Sequence, residues 1–191
     1  NTCLDLLAAA AQGDAIARVM RQYETADNMT DRMAALAILS LYDTPQRAAA
    51  LDDFYRRYQD NPLVIDKWFA LQAAIPEEAT LARVRALTEH PAFSFANPNR
   101  VRALIGSFAQ TNQTQFNRRD GAGYAFVVDT ALALDARNPQ VAARLLSAFK
   151  SWRALEPERR AKAEAALRRA GEAPELSRDV ADIVARALAE A

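Results

Sequence analysis

A chain of 191 residues with 51% hydrophobic content is long enough for one good-sized core and short for two independent ones. Lysine plus arginine equals aspartate plus glutamate at 24 each, which excludes a global field that would draw in nucleic acid or an anionic membrane. A partner has to be recognised locally. Five glycines and eight prolines interrupt a chain rich in helix formers such as Ala, Leu, Arg, Glu and Gln, which lose little rotamer freedom in a helix. An all-α fold is expected. The single cysteine, Cys3, has no internal disulfide partner, and its place beside Leu4, Leu6 and Leu7 predicts a small buried hydrophobe. No apolar run approaches the ~20 residues of a membrane span, and no charged and apolar leader precedes a cleavage site. A cytoplasmic location is the expectation. The chain starts at Asn1 without an initiator methionine, in what reads as the approach to a helix, so it is expected to be a processed product or an excised part of a longer protein.

Taken in order, the elements are helices separated by short connectors. Thr2 is placed to cap a helix through Ala11, and Gly13 breaks it before a segment from Asp14 to about Thr25 with Ile16, Val19, Met20 and Tyr23 at helical spacing. Thr30 is placed to cap a helix with Met33, Leu36, Ala37, Leu39 and Ser40 as its stripe. Thr44 followed by Pro45 opens another, bringing Leu51, Phe54, Tyr55 and Tyr58 to one side. Further helices are predicted from Pro62 to Ala74, Glu77 to Thr88, Pro98 to Ala109, Gly121 to Ala136, Pro139 to Phe149, Pro157 to Ala170 and Ser177 to Ala189. The short Phe126 to Val128 run is the nearest thing to a strand and sits inside a helical pattern.

The dipeptide Asn-Pro recurs at Asn61-Pro62, Asn97-Pro98 and Asn138-Pro139, each time with Asn as acceptor at the cap and Pro at the first helical position. Such an interval is close to the ~40-residue repeat of HEAT and armadillo solenoids, in which each hairpin buries its apolar face only against its neighbours. The expected fold is therefore a right-handed solenoid of antiparallel helix pairs, a HEAT/armadillo-like single domain over 1–191. A compact irregular bundle is the alternative.

Chemistry-bearing patterns are few. His90 is the only histidine, which leaves a zinc site, a Ser-His-Asp triad or a Cys-His pair with one imidazole to be built from. No catalytic residue and no metal ligand set is assigned. His90 precedes Pro91 at a helix end, where a cation or donor can serve the last carbonyls. Gly121-Ala122-Gly123 falls short of a phosphate-binding fingerprint and reads as a tight turn after Asp120 that lets the next helix begin close to a neighbour. The adjacent pairs Asp52-Asp53 and Glu77-Glu78 diverge around a helix and read as solvated charge. Arg159, Arg160, Lys162, Arg168 and Arg169 sit with Glu156, Glu158 and Glu164 on one Ala-rich helix, the pattern of a salt-bridged exposed face. Arg100 and Arg102 read as lying in a first turn, where the macrodipole disfavours cations, and Arg144 in the second turn after Asn138-Pro139. Snorkelling surface arginines or internal ion pairs account for this, and so does a substrate-side role.

Several stretches carry a resemblance: Asn28-Met29-Thr30-Asp31-Arg32, Val64-Ile65-Asp66-Lys67-Trp68-Phe69, Phe95-Ala96-Asn97-Pro98-Asn99-Arg100-Val101-Arg102, Asp120-Gly121-Ala122-Gly123-Tyr124 and Arg137-Asn138-Pro139-Gln140-Val141-Ala142. In this order they resemble the C-terminal domain of bacterial aminopeptidase N, a family of zinc aminopeptidases. The resemblance implies a parent polypeptide whose thermolysin-like domain holds the zinc, with no cofactor in this chain. It implies that this helical domain closes over the catalytic domain of the same polypeptide and walls an internal cavity open to short peptides. Arg102 and Arg144 match arginines that face the cavity, where they would hold a bound peptide's carbonyls or carboxylate. The catalytic domain and short peptides are the implied partners, with no nucleic acid or membrane. Weak self-association is expected of the uncovered surface. The alternative is a free-standing helical-repeat scaffold that binds a protein or peptide on its concave face.

Overall fold

The computed structural model describes residues 1–10 and 14–189. The predicted break at Gly13, with the end of the first helix at Ala11, lies outside them. Among the described residues there is no strand, and no helix is long and apolar enough to cross a membrane.

The helices are α1 (Thr2–Ala9), α2 (Ala15–Thr25), α3 (Met29–Ser40), α4 (Pro45–Tyr58), α5 (Pro62–Ala74), α6 (Thr80–Thr88) and α7 (Pro98–Val101). α7 runs on through a π-helical turn, Arg102–Gly106, into α8 (Ser107–Thr111). Then come α9 (Gln113–Phe116), α10 (Ala122–Asp135) and α11 (Pro139–Leu146), the last continued as a 3-10 helix over Ser147–Ala154. α12 (Pro157–Gly171) and α13 (Arg178–Leu188) close the chain. α5 matches its predicted span residue for residue, and Phe126 to Val128 lies within α10.

Packing follows the logic of a repeat. α2 packs on α3 and α4 on α5; the second pair stacks on the first with α4 against α2 and α5 against α3. The same pattern recurs at the other end, where α12 lies on α10 and α13 on α11. Between them, α6 and the α7–α8 rod form the middle pair, the π turn touching both α5 and α11. Short connectors make consecutive helices hairpins, and no hairpin covers its own apolar face, so the stack shares one continuous core from Ala8 to Val184. Two layers result: α3, α5, α7–α8, α11 and α13 on one side, their partners on the other.

The three Asn-Pro openers start α5, α7 and α11, the second helices of successive pairs. Each Asn carboxamide accepts hydrogen bonds from N–H groups of the first turn: Val64 for Asn61, Asn99 and Arg100 for Asn97, Val141 for Asn138. The dipeptide therefore marks the repeat. Thr44 caps α4 through the Arg47 N–H as expected. At α3, by contrast, Asn28 caps by accepting from Asp31, and Thr30 is already in the first turn.

Other expectations are corrected. α6 starts at Thr80 because Glu77 is occupied elsewhere, accepting hydrogen bonds from both Arg47 and Arg83. Likewise Asp53 accepts from Tyr23 and Arg57, so neither acidic pair is merely solvated charge. Cys3 is exposed, as are Leu6 and Leu7, because α1 buries Ala8 instead. The charged helix α12 conforms to its expectation, with Arg159–Glu156, Lys162–Glu158 and Arg168–Glu164 pairs along it.

The turn before α10 explains two glycines. Gly121 has φ +75°, in the left-handed region that favours glycine. A Cβ on Gly123 would lie 2.4 Å from the carbonyl oxygen of Phe116 and 2.5 Å from that of Gln115, so α10 starts hard against the backbone of α9. Asp120 fixes the turn by accepting from Arg118 and from the Ala122 N–H, contacts that pull its carboxyl down to about 2.

Candidate functional site

The three arginines singled out in the sequence separate into two kinds. Arg100 is buried. Its Nε donates to the Ala92 carbonyl at 2.9 Å and its Nη1 to the Pro62 carbonyl at 2.8 Å, and it pairs with Asp66. Its guanidinium also stands 5.6 Å from the centre of the Phe69 ring. This is an internal ion pair that clips the 92–100 segment to the start of α5.

Arg102 and Arg144 are exposed and face one groove of about 190 Å³ between the α7–α8 rod and α11, with Gly106, Ser107, Gln110, Thr111, Val141 and Leu145 completing its lining. Arg102 is steadied from its own helix, Nε donating to the Pro98 carbonyl at 3.1 Å and Nη2 to the Asn99 side chain at 3.0 Å. Neither arginine has an ion-pair partner among the described residues. The groove continues past Gln110 and Arg144 into a wider depression bordered by Gln113, Ser147, Lys150 and Ser151. Among the described residues no acidic side chain lines either part, so the positive charge stays available to an incoming carbonyl or carboxylate.

The π turn builds this wall. The Ser107 N–H donates to the Arg102 carbonyl five residues back, and the widened turn keeps Arg102, Gly106 and Ser107 on the same groove. The helix-dipole argument does not survive for these two residues. Arg102 lies beyond the first turn, and Arg144 sits in the last turn of α11, where a cation is favoured, because the α-helix gives way to 3-10 at Ser147. The dipole argument correctly marks only Arg100, whose placement Asp66 offsets.

His90 is also corrected. Its Nδ1 accepts a hydrogen bond from the Ala92 N–H at 3.1 Å, which requires the neutral form, and burial among Tyr55, Trp68 and Phe69 pushes its pKa down. It is a half-buried member of an aromatic cluster and an acceptor, and does not serve a terminal carbonyl as a cation. Reading the sequence passed over Gly106, Gln110 and Lys150 as groove residues; a glycine inside the apolar helical run Leu104-Ile105-Gly106 was the available signal. It also passed over buried Asn112, whose side chain donates to the Ala73 and Ile75 carbonyls and ties the end of α5 to α8.

Stacked helix pairs with a polar groove on one layer define an armadillo-type repeat domain. The comparisons agree: a family model described as a domain of unknown function (DUF3458_C) with ARM repeats matches residues 1–189, and the chain belongs to that family. It is 40% identical over 188 residues to the aminopeptidase N of Caulobacter vibrioides, covering 98% of this chain and 22% of that protein. With the aminopeptidase N of Escherichia coli it shares 39% identity over 189 residues, covering 99% of this chain and 22% of that protein. A crystal structure of Legionella pneumophila aminopeptidase A in complex with aspartic acid superposes with a TM-score of 0.85 at 31% identity, over 92% of this chain and 21% of that one. The chain thus spans about a fifth of the length of these relatives, and it corresponds to the C-terminal part of the aminopeptidases N.

Proposed function

We propose that residues 1–191 are the C-terminal domain of a zinc aminopeptidase that removes N-terminal residues from peptides, and that its Arg102–Arg144 groove forms part of the wall of the internal substrate cavity. The observation that carries this reading is the convergence on one groove of two arginines, 42 positions apart in the sequence, that have neither an ion-pair partner nor an acidic groove neighbour among the described residues. A guanidinium offers a planar fork of donors, suited to the carbonyls and terminal carboxylate of a peptide. Closure of this domain over the catalytic one would exclude folded proteins and admit short peptides. Among the described residues no group of three or more His, Cys, Asp or Glu side chains is placed to hold a metal ion; on this reading the zinc would be held by the catalytic domain of the same polypeptide. Exposed apolar side chains such as Leu6, Leu7, Leu41, Leu63 and Phe95 would in part face the rest of that polypeptide, and left uncovered they would favour weak self-association. The enzyme would act in the cytoplasm.

The test compares the chain with the full-length polypeptide that contains it. The full-length protein should hydrolyse an alanyl chromogenic amide, lose the activity on zinc chelation and regain it with zinc, while the pure chain hydrolyses nothing with or without zinc. Zinc-dependent hydrolysis by the chain alone, or a full-length protein without peptidase activity, would overturn the reading.

A further inference from the structure

Four glycines lie among the described residues, and three of them have a structural cause. Gly121 adopts a positive φ, Gly123 abuts backbone, and a Cβ on Gly171 would press on Val184 at 3.2 Å. Gly106 is different. Its backbone is ordinary helix, φ −62° and ψ −42°, and a Cβ there would meet only the Arg102 Cβ at 3.8 Å and the Val101 carbonyl at 3.9 Å, both ordinary contacts. Glycine inside a helix costs backbone entropy, so a glycine that neither conformation nor packing demands points to an outside group that needs the space. The space in question is the groove, which Gly106 lines between Arg102 and Arg144.

We propose that Gly106 is a specificity-determining position: its missing side chain opens the floor of the groove so that the main chain of a bound peptide can lie against the helix while Arg102 and Arg144 hold its polar groups. The inference rests on the peptide-binding reading of the groove and names the part of the peptide that lies there. On that reading a single-residue amide, with little beyond the scissile bond, would leave this floor empty. One added methyl in a close-fitting site changes discrimination by roughly 10–200-fold.

Two measurements on Gly106→Ala test it. In the chain alone the melting temperature should hold or rise, since the methyl has room and the helix gains a better former. In the full-length enzyme kcat/KM for a tetrapeptide should fall about tenfold or more, with a single-residue amide unaffected and Gly106→Val worse than Ala. A lower melting temperature for Gly106→Ala would overturn the steric premise. Unchanged tetrapeptide kinetics for Ala and Val, in an enzyme whose Arg102→Ala and Arg144→Ala variants do lose tetrapeptide activity, would overturn the role of Gly106 alone. Unchanged kinetics in all four variants would remove the peptide-binding reading beneath it.

Discussion

Arg100→Ala is expected to destabilise the domain by about 3–5 kcal/mol, the usual cost of breaking a buried ion pair from one side. The guanidinium satisfies three acceptors at once, the carbonyls of Pro62 and Ala92 and the carboxylate of Asp66, whose side chain is only 19% exposed. Truncation leaves the carboxylate without its counter-charge and strips two carbonyls of their donor. It also frees the 92–100 segment from α5, and with it the start of the α7–α8 rod. For a domain of this size the loss corresponds to a fall in melting temperature of roughly 10 °C. Arg100→Lys should recover only part of it, because a compact ammonium does not span the same three acceptors. A drop under ~3 °C for the alanine variant would show that the clip is not structural.

Gly123→Ala should be comparably damaging, at about 3 kcal/mol, against the general trend that alanine for glycine in a helix is stabilising. The added carbon would stand 2.4 Å from the Phe116 carbonyl oxygen and 2.9 Å from its carbon. Both belong to backbone, which has no rotamer to yield, so α9 and α10 must separate. That separation loosens the edge-on Phe116–Tyr124 contact, whose ring centres are 5.2 Å apart, and the Phe116–Phe149 contact behind it. Chemical unfolding should show a lower midpoint with an unchanged slope. Gly106→Ala, of opposite expected sign, is the internal control. Equal midpoints for the two variants would contradict the packing argument.

Much of the fold was legible in the sequence because its punctuation is local. An Asn cap and a proline at the first helical position act within one turn, so Asn61, Asn97 and Asn138 mark helix starts without tertiary information. Their recurrence once per hairpin reveals the stack. Part of what escaped was a local choice between two neighbouring candidates, since Asn28 and not Thr30 caps α3. The rest was decided by tertiary contacts: Glu77 was drawn away by Arg47 and Arg83, and Cys3 faces outward because the core reaches α1 at Ala8. The π turn at Arg102 and the 3-10 run after Leu146 leave no periodic signature, yet they decide where Arg102 and Arg144 stand relative to their helix ends. The charge-against-dipole argument raised Arg100, Arg102 and Arg144 together and holds only for Arg100, a structural residue; the family resemblance set Arg102 and Arg144 apart. A glycine inside the Leu104-Ile105-Gly106 run marks the position in the sequence, but only the space around its missing Cβ shows that neither conformation nor packing requires it.

The central claim, that the Arg102–Arg144 groove holds peptide beyond the scissile bond, is most directly tested by kinetics of the full-length enzyme carrying Arg102→Ala and Arg144→Ala. Charge-assisted hydrogen bonds of about 1.5–3 kcal/mol correspond to a loss of roughly ten- to a hundredfold in kcat/KM on tri- and tetrapeptides, with a single-residue amide scarcely affected and zinc content and folding intact. A loss mainly in KM would mean the arginines hold ground and transition states alike, and a loss in kcat that they align the scissile bond. Unchanged kinetics on tri- and tetrapeptides in both variants would contradict the account and leave Arg102 and Arg144 as surface arginines.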